Sequence, residues 1–207
     1  MIIDCISDPH GHKPELEGGD LLIVAGDLTA RDSKEEMLFF LEWIQGLNYR
    51  KIVFIAGNHD GWMQKNQKIW TLKTEDSDII YLCDSGAEFE GLKIWGSPWT
   101  PTYGCWYFMK NRGDEIKSAW DLIPDDIDIL VTHGPPYGIL DKNIDGEHCG
   151  CEELREAAFR LSPKLHVFGH IHECGGKTLN TVLTQYVNAS IMNEKYWPVN
   201  KPIRIIL

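Results

Sequence analysis

Short apolar runs, each ended by turn residues, recur along the chain. Five of them are four to seven residues long, rich in Ile and Val and almost continuously hydrophobic: IIDCIS, DLLIVAG, KIVFIAG, IDILVTH and LHVFGH. Runs of this kind are typical of strands that are buried on both faces of a sheet. They predict five central strands, which begin near positions 2, 20, 51, 127 and 165.

Two segments between these runs have helical spacing. In DSKEEMLFFLEWIQGL, Ser33 and Glu36 have the spacing of a capping box. The apolar residues that follow at helical intervals are Met37, Phe40, Leu41 and Ile44. A second helix is predicted for EELREAAFRL, whose apolar face consists of Leu154, Ala157, Ala158 and Leu161. Alternating strands and helices favour an α/β layered fold.

The second half of the chain has the pattern of further strands. AEFEGLKIWG predicts a hairpin around Glu90 and Gly91, while TQYVNAS and PIRIIL predict two more strands. We expect these to form a second, mixed or antiparallel sheet beside the first. The predicted fold is therefore α/β, a two-sheet β-sandwich flanked by helices. No repeat, low-complexity segment or linker divides the sequence, so residues 1–207 are predicted to form a single domain.

Composition limits the partners of the protein. The net charge is −11 and no block of Lys or Arg stands out, which makes extended nucleic acid an unfavourable ligand. No apolar run approaches the ~18 residues of a membrane span, and the N-terminal segment lacks a basic region. The six cysteines lack paired spacing, so we expect reduced thiols and a cytoplasmic protein. For Cys149 and Cys151, a redox or metal element remains an alternative to a loop that leads into a helix.

Each of the five buried runs is followed by at least one Asp, Asn or His. In chain order, they are Asp8, His10 and His12, then Asp27, then Asn58, His59 and Asp60, then His133, and finally His170 and His172. Ligands of α/β sheets bind beyond the carboxyl ends of the strands, so we expect these side chains to meet at one rim.

Oxygen and nitrogen donors without thiolate suit Mn, Fe, Zn or Mg. Two carboxylates, one amide and four or five imidazoles exceed the needs of one ion and suffice for two. A two-metal site holds its ions about 3.5–4 Å apart and needs a bridging ligand, for which a carboxylate is suited and an imidazole is not. The donor set therefore predicts two divalent cations, with Mn²⁺ preferred and Fe, Zn or Mg as alternatives.

The blocks DPH, GD, GNHD, THGPP and GHIH, in this order from Asp8 to His172, resemble the calcineurin-like metallophosphoesterases. THGPPYGILD and the tail SPKLHVFGHIHECGG with YVNAS are similar to the metallophosphoesterase-domain-containing branch, a group of small phosphodiesterases. The resemblance implies a β-sandwich flanked by helices with a dinuclear centre.

The resemblance also implies a role for each matching residue. One metal would be held by Asp8, His10 and His172, and the other by Asn58, His133 and His170. Asp27 would bridge the two ions, and His59 would lie outside the metal shell, beside the substrate. Animal members of the branch often have glycine at the position of His170, so the resemblance implies a more complete second site here.

The predicted function is metal-dependent hydrolysis of phosphoesters, with phosphodiesters of small nucleotides, cyclic ones included, as the preferred substrates. A hydroxide that bridges the ions would attack phosphorus, while His59 would protonate the leaving oxygen or steady the phosphoryl oxygens. Asp60 is a candidate to orient His59. Two alternatives stay open: a phosphomonoesterase or nuclease with the same centre, and a non-catalytic scaffold of the same fold.

Substrate contacts are predicted from an aromatic-rich segment and one further histidine. Six aromatic residues between positions 95 and 108 could stack a nucleobase, or they could be part of the core. The candidate contacts are Trp99, Tyr103 and His12. The oligomeric state is not predicted.

Overall fold

The computed structural model describes residues 1–66 and 78–207, in which two sheets pack face to face. Four strands of the first sheet are parallel: β1 (Ile2–Ile6), β2 (Gly19–Ala25), β3 (Tyr49–Ile55) and β4 (Ile79–Tyr81). A fifth strand, β13 (Ile203–Ile206), is antiparallel to β1 at the edge. The strand order is β13–β1–β2–β3–β4.

The second sheet is mixed. Its parallel strands are β6 (Leu92–Ser97), β9 (Ile129–Thr132), β10 (Leu165–Phe168) and β12 (Gln185–Asn188). The antiparallel edges are β5 (Ser85–Phe89) and β11 (Lys177–Asn180), which give the order β11–β12–β10–β9–β6–β5. Between the β6 and β9 segments, β7 (Thr100–Pro101) and β8 (Met109–Lys110) form a small separate ladder.

Helices cover the outer faces of both sheets. Their bounds are α1 (Lys34–Gln45), α2 (Gly61–Lys65), α3 (Asp114–Trp120) and α4 (Glu152–Leu161), and a 3₁₀ turn spans His172–Cys174. Alternate residues of the strands, such as Ile23 and Val131, point inward and form one core between the sheets. The opposite faces pack against helices, as Val24 does near α1 and Leu130 does near α3 and α4. Since both faces of each central strand are buried, continuous hydrophobic runs are what this architecture requires.

The predicted helices begin where their capping residues lie. Ser33 Oγ accepts a hydrogen bond from the Glu36 N–H at 3.1 Å, and the Glu36 carboxylate returns to Ser33, so the capping box is formed. At α4, the Cys151 sulfur accepts from the Leu154 N–H, and Ser162 ends the helix in the left-handed conformation. Cys151 thus belongs to a loop that leads into a helix.

The α/β sandwich with flanking helices is confirmed, but three strands lie in a different sheet from the one predicted. PIRIIL contains β13, which pairs with β1 in the first sheet and not with the second. Conversely, the runs IDILVTH and LHVFGH contain β9 and β10, which form the centre of the second sheet. No helix among the described residues is both long and apolar enough to cross a bilayer.

Candidate metal centre

The carboxyl ends of the two sheets are joined by backbone hydrogen bonds just beyond the strands. Ser7, after β1, donates to the carbonyl of Ala189, after β12, at 2.8 Å, and the Ile191 N–H returns to Ser7 at 3.0 Å. The Asp8 N–H donates to the Gly26 carbonyl at 3.0 Å. Loops from both sheets therefore meet in one place, as the strand-end pattern predicted.

The backbone at this junction is strained. Asp8, His10, Asp27 and His170 have positive φ angles of 54°, 44°, 51° and 67°. For residues other than glycine such angles are sparsely populated and cost about 1–3 kcal/mol each, so they persist only where the surrounding structure imposes them. Four strained residues among the predicted ligands indicate that side-chain placement here is maintained at a cost in stability.

Glycines allow the loops to approach the carboxylates. A Cβ on Gly169 would lie 2.1 Å from Asp8 Oδ2, and a Cβ on Gly57 would lie 2.4 Å from Asp27 Oδ1. No side chain fits at either position without displacing the acidic residue beside it.

Three overlapping groups of ligand atoms form the centre. They are Asp8–His10–His172, His10–Asp27–His59 and Asp27–His133–His170, and the ligand atoms within each group lie within 4.8 Å of one another. His172 Nε2 lies 3.3 Å from Asp8 Oδ1, and His133 Nε2 lies 3.3 Å from Asp27 Oδ1. Asp27 belongs to two groups, which places it where a bridging carboxylate is required.

Backbone carbonyls orient the imidazoles. The Nδ1 atoms of His10, His133 and His172 lie 3.2, 2.9 and 3.2 Å from the carbonyl oxygens of Thr29, Ala25 and Asn193. A proton on Nδ1 that is donated to a carbonyl leaves the Nε2 lone pair for a cation, the usual arrangement of metal-binding histidines.

One unsatisfied atom tests the fit of a metal. His10 Nε2 is buried and has no hydrogen-bond partner among the described residues, although it lies 3.6 Å from Asp27 Oδ2. A buried polar atom without a partner costs about 1–3 kcal/mol, and a divalent cation between His10 and Asp27 would satisfy it. The donor set thus fits a metal at this position.

Asn58 lies beside the group formed by Asp27, His133 and His170. Its Oδ1 lies 2.9 Å from His133 Nε2, and both residues are buried. An amide oxygen and an imidazole nitrogen that converge beside Asp27 are suitable ligands for a hard or borderline cation.

The charges of the site favour a cation. Burial alone would raise the pKa of Asp8 and Asp27, but the neighbouring imidazoles, chiefly His172 and His133, hold both pKa values well below their usual range. Burial lowers the pKa of His170 to about 3, so this imidazole is neutral at physiological pH. Ionised carboxylates and a neutral His170 are the forms that bind metals, whereas, despite burial, Asp27 raises the pKa of His133 to about 9, so a cation that binds there displaces a proton.

His59 lies at the solvent side of the centre. Its backbone N–H donates to Asp27 Oδ1 at 2.8 Å, and its half-buried ring stacks on Trp106 with centroids 4.4 Å apart. The ring is also edge-on to His10 at 4.6 Å. This location agrees with a residue beside the substrate, but the short distances to His10 and Asp27 also allow His59 to be a ligand.

Asp60 does not contact the His59 ring. Its buried carboxylate accepts hydrogen bonds at 2.8–3.0 Å from the N–H groups of Leu28, Thr29 and Gly57 and from the Thr29 hydroxyl. The His59 Nδ1 instead lies 3.4 Å from the Ala30 carbonyl. The predicted orienting contact is therefore corrected: Asp60 joins the loops that follow β2 and β3.

The three predicted substrate contacts differ in location. Tyr103 lies beside the centre, with its ring centroid 5.4 Å from that of His170. Trp99 does not, because its indole Nε1 donates to Asp84 at 2.7 Å and its ring packs against Phe108 in the core. His12 is exposed on a turn and belongs to none of the three groups.

Tyr196 is a site residue that the sequence pattern did not predict. Its ring centroid lies 4.8 Å from that of His172 and 5.1 Å from that of His10. The turn that presents Tyr196 contains Asn193, whose carbonyl faces His172 Nδ1. Tyr196 does not follow a predicted strand. The sequence signal that could have indicated it is Asn193, a turn-forming residue three positions earlier.

Comparisons with known proteins identify the family and agree with the fold. A family model described as calcineurin-like phosphoesterase matches residues 1–174. Metallophosphoesterase domain-containing protein 1 of Homo sapiens and that of Mus musculus are each 38% identical over 230 residues, which cover 98% of this chain and 70% of theirs. The structure of phosphopantetheinyl hydrolase from Mycobacterium tuberculosis has a similar fold, with a TM-score of 0.59 at 14% identity over 97% of this chain and 95% of that one. The chain belongs to the calcineurin-like phosphoesterases.

Proposed function

We propose that the protein is a phosphodiesterase that hydrolyses small nucleotide-type esters, cyclic ones included, at a two-metal centre that uses Mn²⁺. Membership of the family implies metal-dependent hydrolysis of phosphoesters. The observation that carries the proposal is the set of three overlapping ligand groups. The first two share His10, and the last two share Asp27. Two adjacent cations need shared or neighbouring ligands of this kind.

Each metal position has a distinct set of residues. Asp8, His10 and His172 would hold one ion, and Asn58, His133 and His170 the other, with Asp27 between them. Divalent ions bound there would polarise the phosphate ester and lower the pKa of a water molecule.

Residues of the chain supply the proton for the leaving oxygen and the side chains that surround the ester. The oxygen of water forms a bond to phosphorus, the bond from phosphorus to the leaving oxygen breaks, and His59 gives a proton to that oxygen. The proton that the attacking water loses passes to solvent, from which His59 is protonated again. Trp106 stacks on His59, and Tyr196 lies edge-on to His172, so aromatic rings flank the histidines. Asp60 acts through the loops that carry Asp27 and His59.

We also propose that the protein acts in the cytoplasm on small molecules. All six cysteines, which lie within the described residues, are free thiols, as expected in a reducing compartment. The net charge of −11 disfavours a long nucleic acid as substrate.

Metal analysis coupled to hydrolysis assays tests the proposal. We expect about two ions per chain after loading with Mn²⁺. Bis-p-nitrophenyl phosphate should then be hydrolysed with a higher kcat/KM than p-nitrophenyl phosphate. A preference for the monoester would identify a phosphomonoesterase, and no turnover of either ester with two ions bound would favour the non-catalytic scaffold.

A further inference from the structure

Two separate cavities border the metal centre. The larger, of about 420 Å³, lies beside His170 and is also lined by Tyr103, Arg112, Asn143, His148 and Glu173. The smaller, of about 230 Å³, lies beside His59 and is also lined by Arg31, Asp32, Trp106 and Tyr107. Among the described residues, no side chain lines both cavities.

A phosphodiester has two organic groups on one phosphorus atom, whereas a monoester has one. We infer, on the basis of the proposed function, that the two cavities bind the two arms of an acyclic phosphodiester. The arm that stays on phosphorus, a nucleoside or a similar flat polar group, occupies the larger cavity beside His170. The arm that leaves occupies the smaller cavity beside His59.

The location of His59 determines which arm lies in which cavity. When water oxygen bonds to phosphorus, the bond to the leaving arm breaks, the leaving oxygen takes a proton from His59, and a proton of the attacking water is released to solvent. The leaving arm must therefore be the one next to His59, which lines the smaller cavity. The other arm, still bonded to phosphorus, is directed to the cavity at His170, which belongs to a different ligand group.

The larger cavity suits a flat group without charge. Tyr103 is 46% exposed and is one of the residues that line this cavity. The Arg112 guanidinium donates to the carbonyls of Gly150 and Cys149 and pairs with Glu152, so its charge is already compensated. His148 is held by Asp141 at 2.6 Å. Polar edges around an aromatic ring match a nucleobase better than a second phosphate.

The smaller cavity combines an aromatic wall with a cation. Trp106 is 46% exposed and stacks on His59. The side chain of Arg31 has no hydrogen bond or ion pair within residues 1–66 and 78–207. A leaving arm that is aromatic or carries a negative group fits this combination.

Two diesters with the same leaving group test the assignment. Thymidine 5′-p-nitrophenyl phosphate and methyl p-nitrophenyl phosphate both release p-nitrophenolate and differ only in the retained arm. We expect the Mn²⁺-loaded enzyme to prefer the thymidine ester in kcat/KM. The measured ratio is kcat/KM for the thymidine ester divided by kcat/KM for the methyl ester. Tyr103→Ala should lower this ratio about tenfold, since a base–aromatic stack is lost.

Three further variants distinguish a specific loss of binding to the retained arm from a general loss of activity. Tyr103→Phe should keep the ratio, because the ring remains. Trp106→Ala should lower kcat/KM for both esters by the same factor, because the leaving arm is shared. Leu122→Ala, at a 57% exposed position outside both cavities, is the matched control and should leave both values as they are in the unmodified enzyme.

The outcomes distinguish the two proposals. A ratio near one in the unmodified enzyme, or a ratio that Tyr103→Ala does not change, overturns the assignment of the larger cavity while the phosphodiesterase function stands. A ratio lowered by Trp106→Ala and not by Tyr103→Ala places the nucleoside in the smaller cavity and also overturns it. Hydrolysis of neither ester by the metal-loaded enzyme overturns the proposed function itself.

Discussion

His59 and Asp60 are adjacent in the chain, yet their side chains have different surroundings. The His59 ring is half-buried, contacts Trp106 and His10, and faces the ligand groups. Asp60 is 1% exposed, and its carboxylate accepts hydrogen bonds from two loops. Residues with opposite environments in one short loop suit different roles: we propose that His59 acts at the substrate, whereas the Asp60 carboxylate accepts hydrogen bonds from the backbone of two loops.

Replacing His59 with alanine is predicted to keep both metals and to lower kcat by about 10²–10⁴, because the proton donor is lost while the seven predicted ligands remain. The measurements are metal content by mass spectrometry and hydrolysis of a dinucleoside phosphate, whose alkoxide leaving group needs a proton that p-nitrophenolate does not need. Glu156→Ala, on the exposed face of α4, serves as the control. Loss of metal together with activity would show that His59 is a ligand.

His170 and His172 are two residues apart but belong to different ligand groups. His170→Ala is therefore predicted to lower the metal content from about two ions per chain to about one, since Asp8, His10 and His172 still surround the first position. Metal titration of the purified variant measures this. Loss of both ions would contradict the assignment of the two histidines to separate metals.

At the scale of elements, the strand ends place the ligands and the glycines allow the loops to approach. Gly169 follows β10 directly, and any Cβ there would overlap the Asp8 carboxylate. The position of Asp8 therefore depends on a residue that lies 161 positions away in the sequence. The end of β1 lies next to the end of β10 only when the two sheets have packed together.

Gly169→Ala is predicted to destabilise the fold by about 1–3 kcal/mol, because the added methyl group displaces Asp8. The same change should weaken metal binding at the Asp8 position. Urea denaturation and metal titration test both effects. Gly46→Ala is the matched control, since Gly46 has φ −86° and a Cβ at this position would make an ordinary contact of 3.5 Å; it should be neutral or stabilising by about 0.4–1 kcal/mol.

At the scale of the whole molecule, His166 makes the stability dependent on pH. This residue of β10 is fully buried, and its Nε2 lies 2.9 Å from the Thr132 hydroxyl, which donates to the Gly134 carbonyl beside His133. Burial lowers the pKa of His166 to about 3. In the unfolded chain its pKa is about 6.5, so between these values only the unfolded chain binds the proton.

The free energy of unfolding is therefore predicted to fall as the pH drops below about 6.5, with a contribution from His166 of about 2 kcal/mol between pH 7 and pH 5. His166→Gln keeps a donor for Thr132 but does not titrate. Urea denaturation of metal-free protein at both pH values measures the difference. Equal pH dependence in the variant and the original protein would refute this role of His166.

The pattern of the sequence predicted many of the elements and named candidate ligands that the structure brings together. Continuous hydrophobic runs predicted β1, β2, β3, β9 and β10, and the capping box predicted the start of α1. Seven predicted ligands follow these strands, and the structure brings all seven together. The strands, the start of α1 and the residues after each strand depend on neighbours along the chain. The spacing of hydrophobic residues, the turn residues and the capping residues therefore predict them.

The rest depended on contacts between distant segments. Hydrophobic period does not specify which sheet a strand joins, so only strand pairing decided that β13 lies beside β1 and that β9 and β10 belong to the second sheet. Trp99 and Tyr103 belong to the same aromatic-rich segment of the sequence. The Trp99 indole donates to Asp84 and packs against the core, whereas Tyr103 lies beside His170. The sequence alone determined which residues end the buried strands and hence the chemistry of the centre. Only the tertiary structure decided that Asp60 binds the backbone, that Tyr196 covers the histidines and that two cavities flank them, because each depends on packing between segments far apart in the chain.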